Sequence, residues 1–116
     1  MSLRIKEGVS IRGLQPQAFH AWYVAGEVYA ELYNADCYLT GGVDGKHGHG
    51  SLHYVGLAID LRIRNLVTPD AITDMTIDKA VVIQAELKTR LGVEYDVVLE
   101  SNHFHIEFQP KNPIGE

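Results

Sequence analysis

The chain has 116 residues, of which 46% are hydrophobic, 22% charged and 9% aromatic, and its formal net charge is −5 with neutral histidines. This is the composition of an ordinary globular domain, and it excludes wholesale disorder and fibrous repeats. The acidic balance and the lack of a basic run argue against a nucleic acid or an anionic membrane surface as the partner. The length suits one domain over residues 1–116 with a single core.

The cysteine content and the lengths of the apolar runs exclude further classes of protein. Cys37 is the only cysteine, which excludes an intrachain disulfide and a cysteine-rich zinc finger and predicts a small buried side chain. No apolar run approaches the ~18 residues that span a bilayer, so we expect no membrane insertion. Residues 1–10 carry Arg4, Lys6 and Glu7 with no apolar run after them. They predict no secretory signal, and hence a protein that is cytoplasmic as made.

The first predicted element is a helix that begins at Pro16, where the missing backbone N–H has no cost, and ends at Asn34. Apolar residues recur in it at three- and four-residue steps. They are Phe19, Trp22, Tyr23, Gly26, Tyr29 and Tyr33. This spacing predicts one stripe that faces the core, rather than an aromatic ligand face.

Two strands with a glycine-rich loop between them are predicted next. Residues 37–40 read as a short strand, and residues 41–50 contain five glycines, which is typical of a surface or site loop. Residues 57–63 alternate between apolar and polar positions, as a half-buried strand does. Asp60 lies on the polar side of this strand, where an unpaired carboxylate in mid-strand would be costly.

The second half of the chain predicts a helix and a hairpin. Residues 65–74 are polar and rich in turn formers, and a helix follows from near Thr76 to Gly92. Residues 95–100 and 103–108 predict the two strands of the hairpin. The stripe of the second helix consists of Ala80, Ile83, Leu87 and Leu91. The fold class is therefore α+β, with a mainly antiparallel sheet and two principal helices packed on one face.

Five of the six histidines lie in two clusters, which are His47, His49 and His53, and then His103 and His105. Histidines two residues apart in a strand project from one face, as Asp60 does from its own strand. If these strands are neighbours, three groups that bind divalent metal ions converge on the face opposite the helices. Three protein ligands would make a catalytic zinc site and a fourth a structural one. The alternative is a set of solvated histidines on the wet face of the sheet.

Several familiar catalytic patterns are absent. Gly45-Lys46 is not a phosphate-binding loop, because Thr40 and His47 stand where that motif needs Gly and Ser or Thr. Ser51 is close to His53 in sequence, but there is no Gly-x-Ser-x-Gly elbow to activate it as a nucleophile. A His-Glu-x-x-His helix is also absent.

The run from Ser51 to Asp60 fits the pattern S-x-H-x-x-G-x-A-x-D, and His103-Phe104-His105 follows it. Together they closely resemble the zinc peptidases of the D-Ala-D-Ala carboxypeptidase and L-Ala-D-Glu endopeptidase family, in its phage or prophage form. That family belongs to a group that includes lysostaphin-type enzymes and the hedgehog signalling domain. The resemblance covers about residues 37–110.

The resemblance implies a site residue by residue. His53, Asp60 and His105 would be the Zn²⁺ ligands, and His103 would stabilise the reacting carbonyl group. Beside this resemblance, the position of Glu100 at the end of the strand that enters the hairpin makes it a candidate general base, and the alternative is a solvated strand end. Because Glu100 and His103 also fit an acid-x-x-His pattern, His103 as the third ligand stays open.

Other residues are expected around these ligands. Ser51, Arg62 and His47 are candidates for substrate binding or for support of the ligands. His47, with its neighbour His49, would cover the cleft or add a ligand. Arg62 would pair either with a substrate carboxylate or with Glu107, and the arginine that family members carry upstream of the first ligand is missing here.

The sequence thus predicts a small zinc peptidase that hydrolyses peptidoglycan stem-peptide bonds next to a D-amino acid, as a carboxypeptidase or an endopeptidase. Its partner would be the peptidoglycan peptide, reached after export or by release through a phage route. The alternative is a non-catalytic, zinc-containing binding domain of the hedgehog type. A metal-free sheet protein is a third interpretation.

Overall fold

A computed structural model describes residues 1–43 and 55–110 of the chain. Its elements are, in chain order, β1 (Leu3–Ile5), α1 (Pro16–Tyr33), β2 (Cys37–Gly41), β3 (Ala58–Arg62), β4 (Leu66–Val67), β5 (Ile72–Thr73), α2 (Ile77–Leu91), β6 (Tyr95–Leu99) and β7 (His103–Phe108). The predicted α+β class with two helices is confirmed. The short strands β1, β4 and β5 are additions that the sequence did not predict.

Five strands form one sheet in the order β1-β2-β3-β7-β6, and β4 and β5 form a separate two-stranded ladder. Only β1 and β2 are parallel, so the main sheet is mostly antiparallel, as predicted. The terminal hairpin inserts β7 between β3 and β6. The strand with the two histidines is therefore the direct neighbour of the strand with Asp60, which is the condition that the predicted site required.

Helix α1 has the predicted ends, but its buried face differs in part from the prediction. Pro16 is its first residue, and Asn34 ends it in a left-handed conformation with its N–H donating to the Ala30 carbonyl. Phe19 and Tyr23 are 40% and 52% exposed, so the aromatic stripe is not uniformly core. Small residues and two aromatic ones fill the buried side: Ala18, Ala21, Trp22, Val24, Ala25, Gly26, Val28 and Tyr29. Alanine and glycine allow α1 to approach the sheet closely. The larger side chains of Phe19 and Tyr23 lie beside this close contact and stay partly exposed.

Helix α2 confirms the prediction at both ends. The Thr76 side chain caps it by accepting the Lys79 N–H at 3.2 Å, and Gly92 follows its last residue. The predicted stripe is buried along its whole length. Neither helix, nor any other within the described residues, is long and apolar enough to cross a membrane.

The two faces of the sheet have opposite chemistry. Both helices pack against the apolar face, whose fully buried side chains include Leu39, Ile59, Leu61, Phe104 and Ile106. The alternate residues of β3 and β7 point to the other face, against which neither α1 nor α2 packs. Cys37 is wholly buried, as predicted, and burial raises the pKa of its thiol far above the usual range, which makes it unreactive.

Candidate metal centre

The register between β3 and β7 brings the predicted site residues together. Asp60 lies directly opposite His105, and Arg62 lies directly opposite His103. Residues that are opposite each other in an antiparallel ladder project from the same face, with Cβ atoms about 5 Å apart. The predicted convergence of Asp60, His103 and His105 on one face of the sheet is therefore confirmed.

The Asp60 carboxylate lies between the two imidazoles. Its Oδ1 atom is 2.9 Å from Nδ1 of His105 and 3.7 Å from Nε2 of His103. The side chains of Asp60 and His105 are each 20% exposed, and that of His103 is 31% exposed. A charged group in mid-strand thus has its partners within reach, and the partly dry surroundings strengthen the interaction.

The second ring nitrogen of His105 also faces a carboxylate. Nε2 is 2.8 Å from Oε1 of Glu107, and the side-chain amide of Gln109 donates to the other oxygen of Glu107. The contact with Asp60 is the main cause that raises the pKa of His105 to about 9, Glu107 adds to it, and burial partly opposes it. Without a metal ion, His105 is therefore an imidazolium at neutral pH that donates to both carboxylates.

The distances fit a shared metal ion. Two ligand atoms on one tetrahedral zinc ion lie about 3.3 Å apart, given metal–ligand distances of about 2.0–2.1 Å. The separations of 2.9 and 3.7 Å from Asp60 Oδ1 lie on either side of that value. Carboxylate oxygen and imidazole nitrogen are also the donors that zinc prefers outside cysteine sites. Asp60 and either histidine could accordingly hold one ion after small side-chain movements.

Each histidine has an oxygen partner on the nitrogen that faces away from Asp60. For His105 this partner is the Glu107 carboxylate, and for His103 it is Oδ1 of Asn102, 2.6 Å from Nδ1. A partner of this kind fixes the ring orientation and leaves the other nitrogen for a metal ion. A carboxylate makes imidazole a stronger ligand than a neutral amide does, and the shorter contact to Asp60 adds to this preference for His105.

The first predicted ligand belongs to the segment between residues 43 and 55. His53 lies outside the described residues, and so do Ser51, His47 and His49. Within residues 1–43 and 55–110, no group of three or more His, Cys, Asp or Glu side chains is arranged to hold a metal ion. The described part of the chain contributes a two-donor half-site, and completion of this half-site by His53 stays a prediction.

Glu100, the predicted general base, lies at the hairpin end of the same face. Its backbone N–H donates to the carbonyl of His103 at 2.9 Å, which continues the β6–β7 ladder by one residue. Strand alternation puts Glu100 on the side of Asp96 and Val98, the latter being opposite His105. Its side chain is exposed and forms no hydrogen bond or ion pair with a described residue. Its role as a base stays a prediction.

Arg62 does not pair with Glu107, which was one of its two predicted partners. Glu107 lies opposite Ala58, at the other end of β3 from Arg62. Arg62 instead stacks on Tyr38, with its guanidinium carbon 3.7 Å from the centre of the ring. The ladder separates Arg62 from Glu107 by four residues, which a sequence-based pairing could not foresee.

Glu107 is the functional residue that the sequence analysis missed as a support for His105. It lies two positions after His105 in β7, so strand alternation places both side chains on one face. That signal was present in the sequence, but the contact depends on the side-chain conformations in the folded chain. Asn102 and Tyr38 have no comparable sequence signal.

Gly41 provides the space that the Asp60 side chain occupies. The β2–β3 register shifts between Leu39 and Gly41, so Gly41 lies opposite Asp60. A Cβ atom at position 41 would be 2.5 Å from Oδ2 of Asp60 and 3.0 Å from its Cγ. Any side chain at this position must therefore push the carboxylate aside.

We expect Gly41→Ala to leave the fold intact and to impair metal binding. The methyl group meets the movable end of a side chain, so the free energy of unfolding should fall by only about 1–2 kcal/mol. The displaced carboxylate should weaken zinc binding roughly tenfold or more. Thermal unfolding and calorimetric zinc titration of the two proteins measure both effects. Wild-type zinc affinity in the variant would contradict the placement of Asp60 in the site.

Adjacent strands thus build the candidate site, in which Asp60 is hydrogen-bonded to His105. His103 lies 3.7 Å from Asp60, and Glu107 is hydrogen-bonded to the ring nitrogen of His105 that faces away from Asp60. These are side-chain types that bind divalent cations, and in the metal-free chain they hold a proton on His105. Comparison with models of known protein families finds no match, and comparison with curated protein sequences finds none either.

Proposed function

We propose that the protein is a zinc-dependent peptidase that hydrolyses peptidoglycan stem-peptide bonds next to a D-amino acid. The observation that carries the proposal is the direct contact between Asp60 and His105 across neighbouring strands, with His103 beside them. The motif from Ser51 to Asp60, which resembles that of the zinc D-Ala-D-Ala carboxypeptidases and L-Ala-D-Glu endopeptidases, supplies the reaction type. His53, Asp60 and His105 would hold the ion.

The residues have distinct roles in this proposal. A zinc ion supplies Lewis acidity that makes water a nucleophile near neutral pH. Glu107 orients the imidazole ring of His105 by accepting a hydrogen bond from the Nε2–H of that ring. Asp60 would supply a negatively charged oxygen ligand to the ion. Glu100 accepts a proton from the attacking water and passes it to the leaving amine. His103 donates a hydrogen bond to the carbonyl oxygen as negative charge develops there.

One observation favours a second candidate, a zinc-containing binding domain of the hedgehog type without catalytic activity. The Glu100 side chain is exposed and, within the described residues, forms no hydrogen bond or ion pair with Asp60 or His105. A base must come within hydrogen-bonding distance of the water that it activates. The two candidates differ in the effect of Glu100→Gln, which removes turnover from a peptidase and has nothing to remove from a binding domain.

The test is incubation of the zinc-loaded full chain with purified peptidoglycan fragments, with and without chelator, followed by mass analysis of the products. Single D-alanine released in a chelator-sensitive way indicates a carboxypeptidase, and longer peptides indicate an endopeptidase. Glu100→Gln should retain zinc and lose turnover by at least about 100-fold. Glu94→Gln, an exposed carboxylate before β6, is the matched control. No chelator-sensitive product from any fragment would refute the proposal.

The stability of the metal-free protein should depend on pH through His105. Its pKa is raised from 6.5 to about 9, so protonation stabilises the folded state. The contribution is complete below pH about 6.5 and is lost as the pH rises through about 9. After allowance for solvent screening of a partly exposed side chain, we expect the free energy of unfolding to fall by about 2 kcal/mol over this range. Urea unfolding with chelator present measures it.

The control for this pH dependence is His105→Gln, which removes the titrating group. Its free energy of unfolding should change less between pH 6.5 and 9.5 than that of the unmodified chain. With zinc bound, the free energy of unfolding should instead rise with pH, because the ion replaces a proton on His105 and binds more tightly as the pH rises. If the free energy of unfolding depends on pH equally in His105→Gln and in the unmodified chain, His105 is not the group whose protonation stabilises the fold.

A further inference from the structure

A pocket of about 450 Å³ lies beside the candidate metal centre. Asp60 and His103 line it together with three cationic side chains, Lys6, Arg62 and Arg64, and with neutral polar residues. The cations come from three different segments: the residue after β1, the strand β3 and the turn that follows it. The folded chain thus brings Lys6 close to Arg62 and Arg64, which follow it by more than fifty residues, beside the candidate metal centre.

The cations in this pocket have no carboxylate partner among residues 1–43 and 55–110. Lys6, Arg62 and Arg64 form no ion pair with a described residue, whereas Arg90, on α2, pairs with two glutamates. Among the described residues that line the pocket, Asp60 is the one carboxylate, and it is engaged with His105. A chain with a net charge of −5 therefore carries a local cationic excess, and a pocket of this kind favours an anion.

Arg62 shows the strongest sign of a missing partner. Its Nε atom is buried and has no hydrogen-bond acceptor in the part of the chain that the structure describes. A buried donor without an acceptor costs about 1–3 kcal/mol, and such groups are rare in folded proteins. The stacking on Tyr38 at 3.7 Å holds the guanidinium in place. Arg62 is thus a rigid, unsatisfied donor that lines the pocket.

We infer that Lys6, Arg62 and Arg64 form a subsite for a carboxylate group of the substrate. The planar guanidinium matches the two oxygens of a carboxylate, and the two flanking cations add charge. Because Asp60 and His103 line the same pocket, a carboxylate bound there lies beside the candidate metal centre. The placement next to a reacting bond rests on the proposed function, whereas the binding of a carboxylate does not.

The experiment compares three peptides: acetyl-D-alanyl-D-alanine with a terminal carboxylate, its C-terminal amide without one, and acetyl-D-alanyl-D-glutamic acid amidated at its C-terminus, whose carboxylate is in the side chain. Each is titrated into the full chain, metal-free and zinc-loaded, while the Arg62 side-chain Nε–H signal is followed by NMR. We expect the first peptide to shift this signal and to bind roughly tenfold or more tightly than its amide. Binding of the third peptide instead would identify a side-chain carboxylate as the ligand.

Variants test which cations bind the peptide. Arg62→Gln should reduce the affinity for the carboxylate peptide roughly tenfold. Lys6→Gln and Arg64→Gln change exposed side chains, so they keep the test valid if Arg62→Gln fails to fold, and each should reduce affinity about two- to fivefold at low salt. Lys88→Gln removes the same charge at an exposed position of α2 that does not line this pocket, and it should leave the affinity for the carboxylate peptide unchanged.

The outcomes separate this inference from the proposed function. Carboxylate-dependent binding that is lost in Arg62→Gln supports the subsite, even if no peptide is hydrolysed by the zinc-loaded chain. Equal affinity for the acid and amide peptides, or unchanged affinity in all three pocket variants, overturns the subsite. Chelator-sensitive hydrolysis without such discrimination would leave the peptidase in place and still overturn the subsite.

Discussion

Replacement of Asp60 by asparagine is expected to abolish zinc binding and hydrolysis while the chain still folds. Asparagine has nearly the same shape but no charge, and a neutral amide oxygen is a poor zinc ligand. Loss of an outer carboxylate partner already costs about 10–100-fold in metal affinity, so loss of a direct ligand should cost more than about 100-fold. Hydrolysis should fall to the level of the chelated enzyme.

The same substitution should also weaken the metal-free fold. Asp60 is the main cause of the raised pKa of His105, and the pair is hydrogen-bonded at 2.9 Å. A hydrogen bond to a charged group contributes about 1.5–3 kcal/mol, and part of this is retained by the amide oxygen. We therefore expect the free energy of unfolding at pH 7 to fall by about 1–2 kcal/mol.

Three measurements test these predictions. The zinc stoichiometry after dialysis reports metal binding, product analysis reports hydrolysis, and urea unfolding reports the stability of the metal-free fold. Asp70→Asn, an exposed position between β4 and β5, makes the same chemical change away from the site and should leave all three unchanged. One equivalent of zinc in Asp60→Asn, together with normal product release, would show that Asp60 is not a ligand.

Elements with strong local signals were predictable, and those that depend on distant contacts were not. Helix α2 has a capping threonine, an apolar stripe and a terminal glycine, so both of its ends could be predicted. Strand β1 is three residues long and pairs with β2 more than thirty positions away, and the two-residue strands β4 and β5 are too short for any periodicity. The exposed rings of Phe19 and Tyr23 show that helical spacing predicts a shared side, but not how far that side extends over the sheet.

The candidate site could be predicted in outline for a similar reason. Strand alternation placed His103 and His105 on one side of a strand, and Asp60 on one side of another. That these strands are neighbours follows from the insertion of β7 into the sheet, which is a non-local event. The partners of the distal ring nitrogens, Glu107 and Asn102, depend on side-chain conformations that no periodicity encodes.

The two histidines of the hairpin are expected to differ sharply when each is replaced by glutamine. His105 is closer to Asp60, is more buried and is supported by the Glu107 carboxylate, so His105→Gln should lose zinc and activity together. His103 is 3.7 Å from Asp60, so His103→Gln should retain zinc within about tenfold and lose about 100- to 1,000-fold in kcat, as a donor to the carbonyl oxygen would.

Zinc content and kcat, determined on the same preparations, distinguish the two arrangements that the sequence left open. The reverse result, with zinc lost in His103→Gln and retained in His105→Gln, would establish the acid-x-x-His arrangement with Glu100 and would contradict the role of His105. His20→Gln, an exposed position on α1, controls for the loss of any imidazole.

Glu107→Gln adds a graded test: because Glu107 acts only through His105, zinc affinity should fall about 10–100-fold without being abolished.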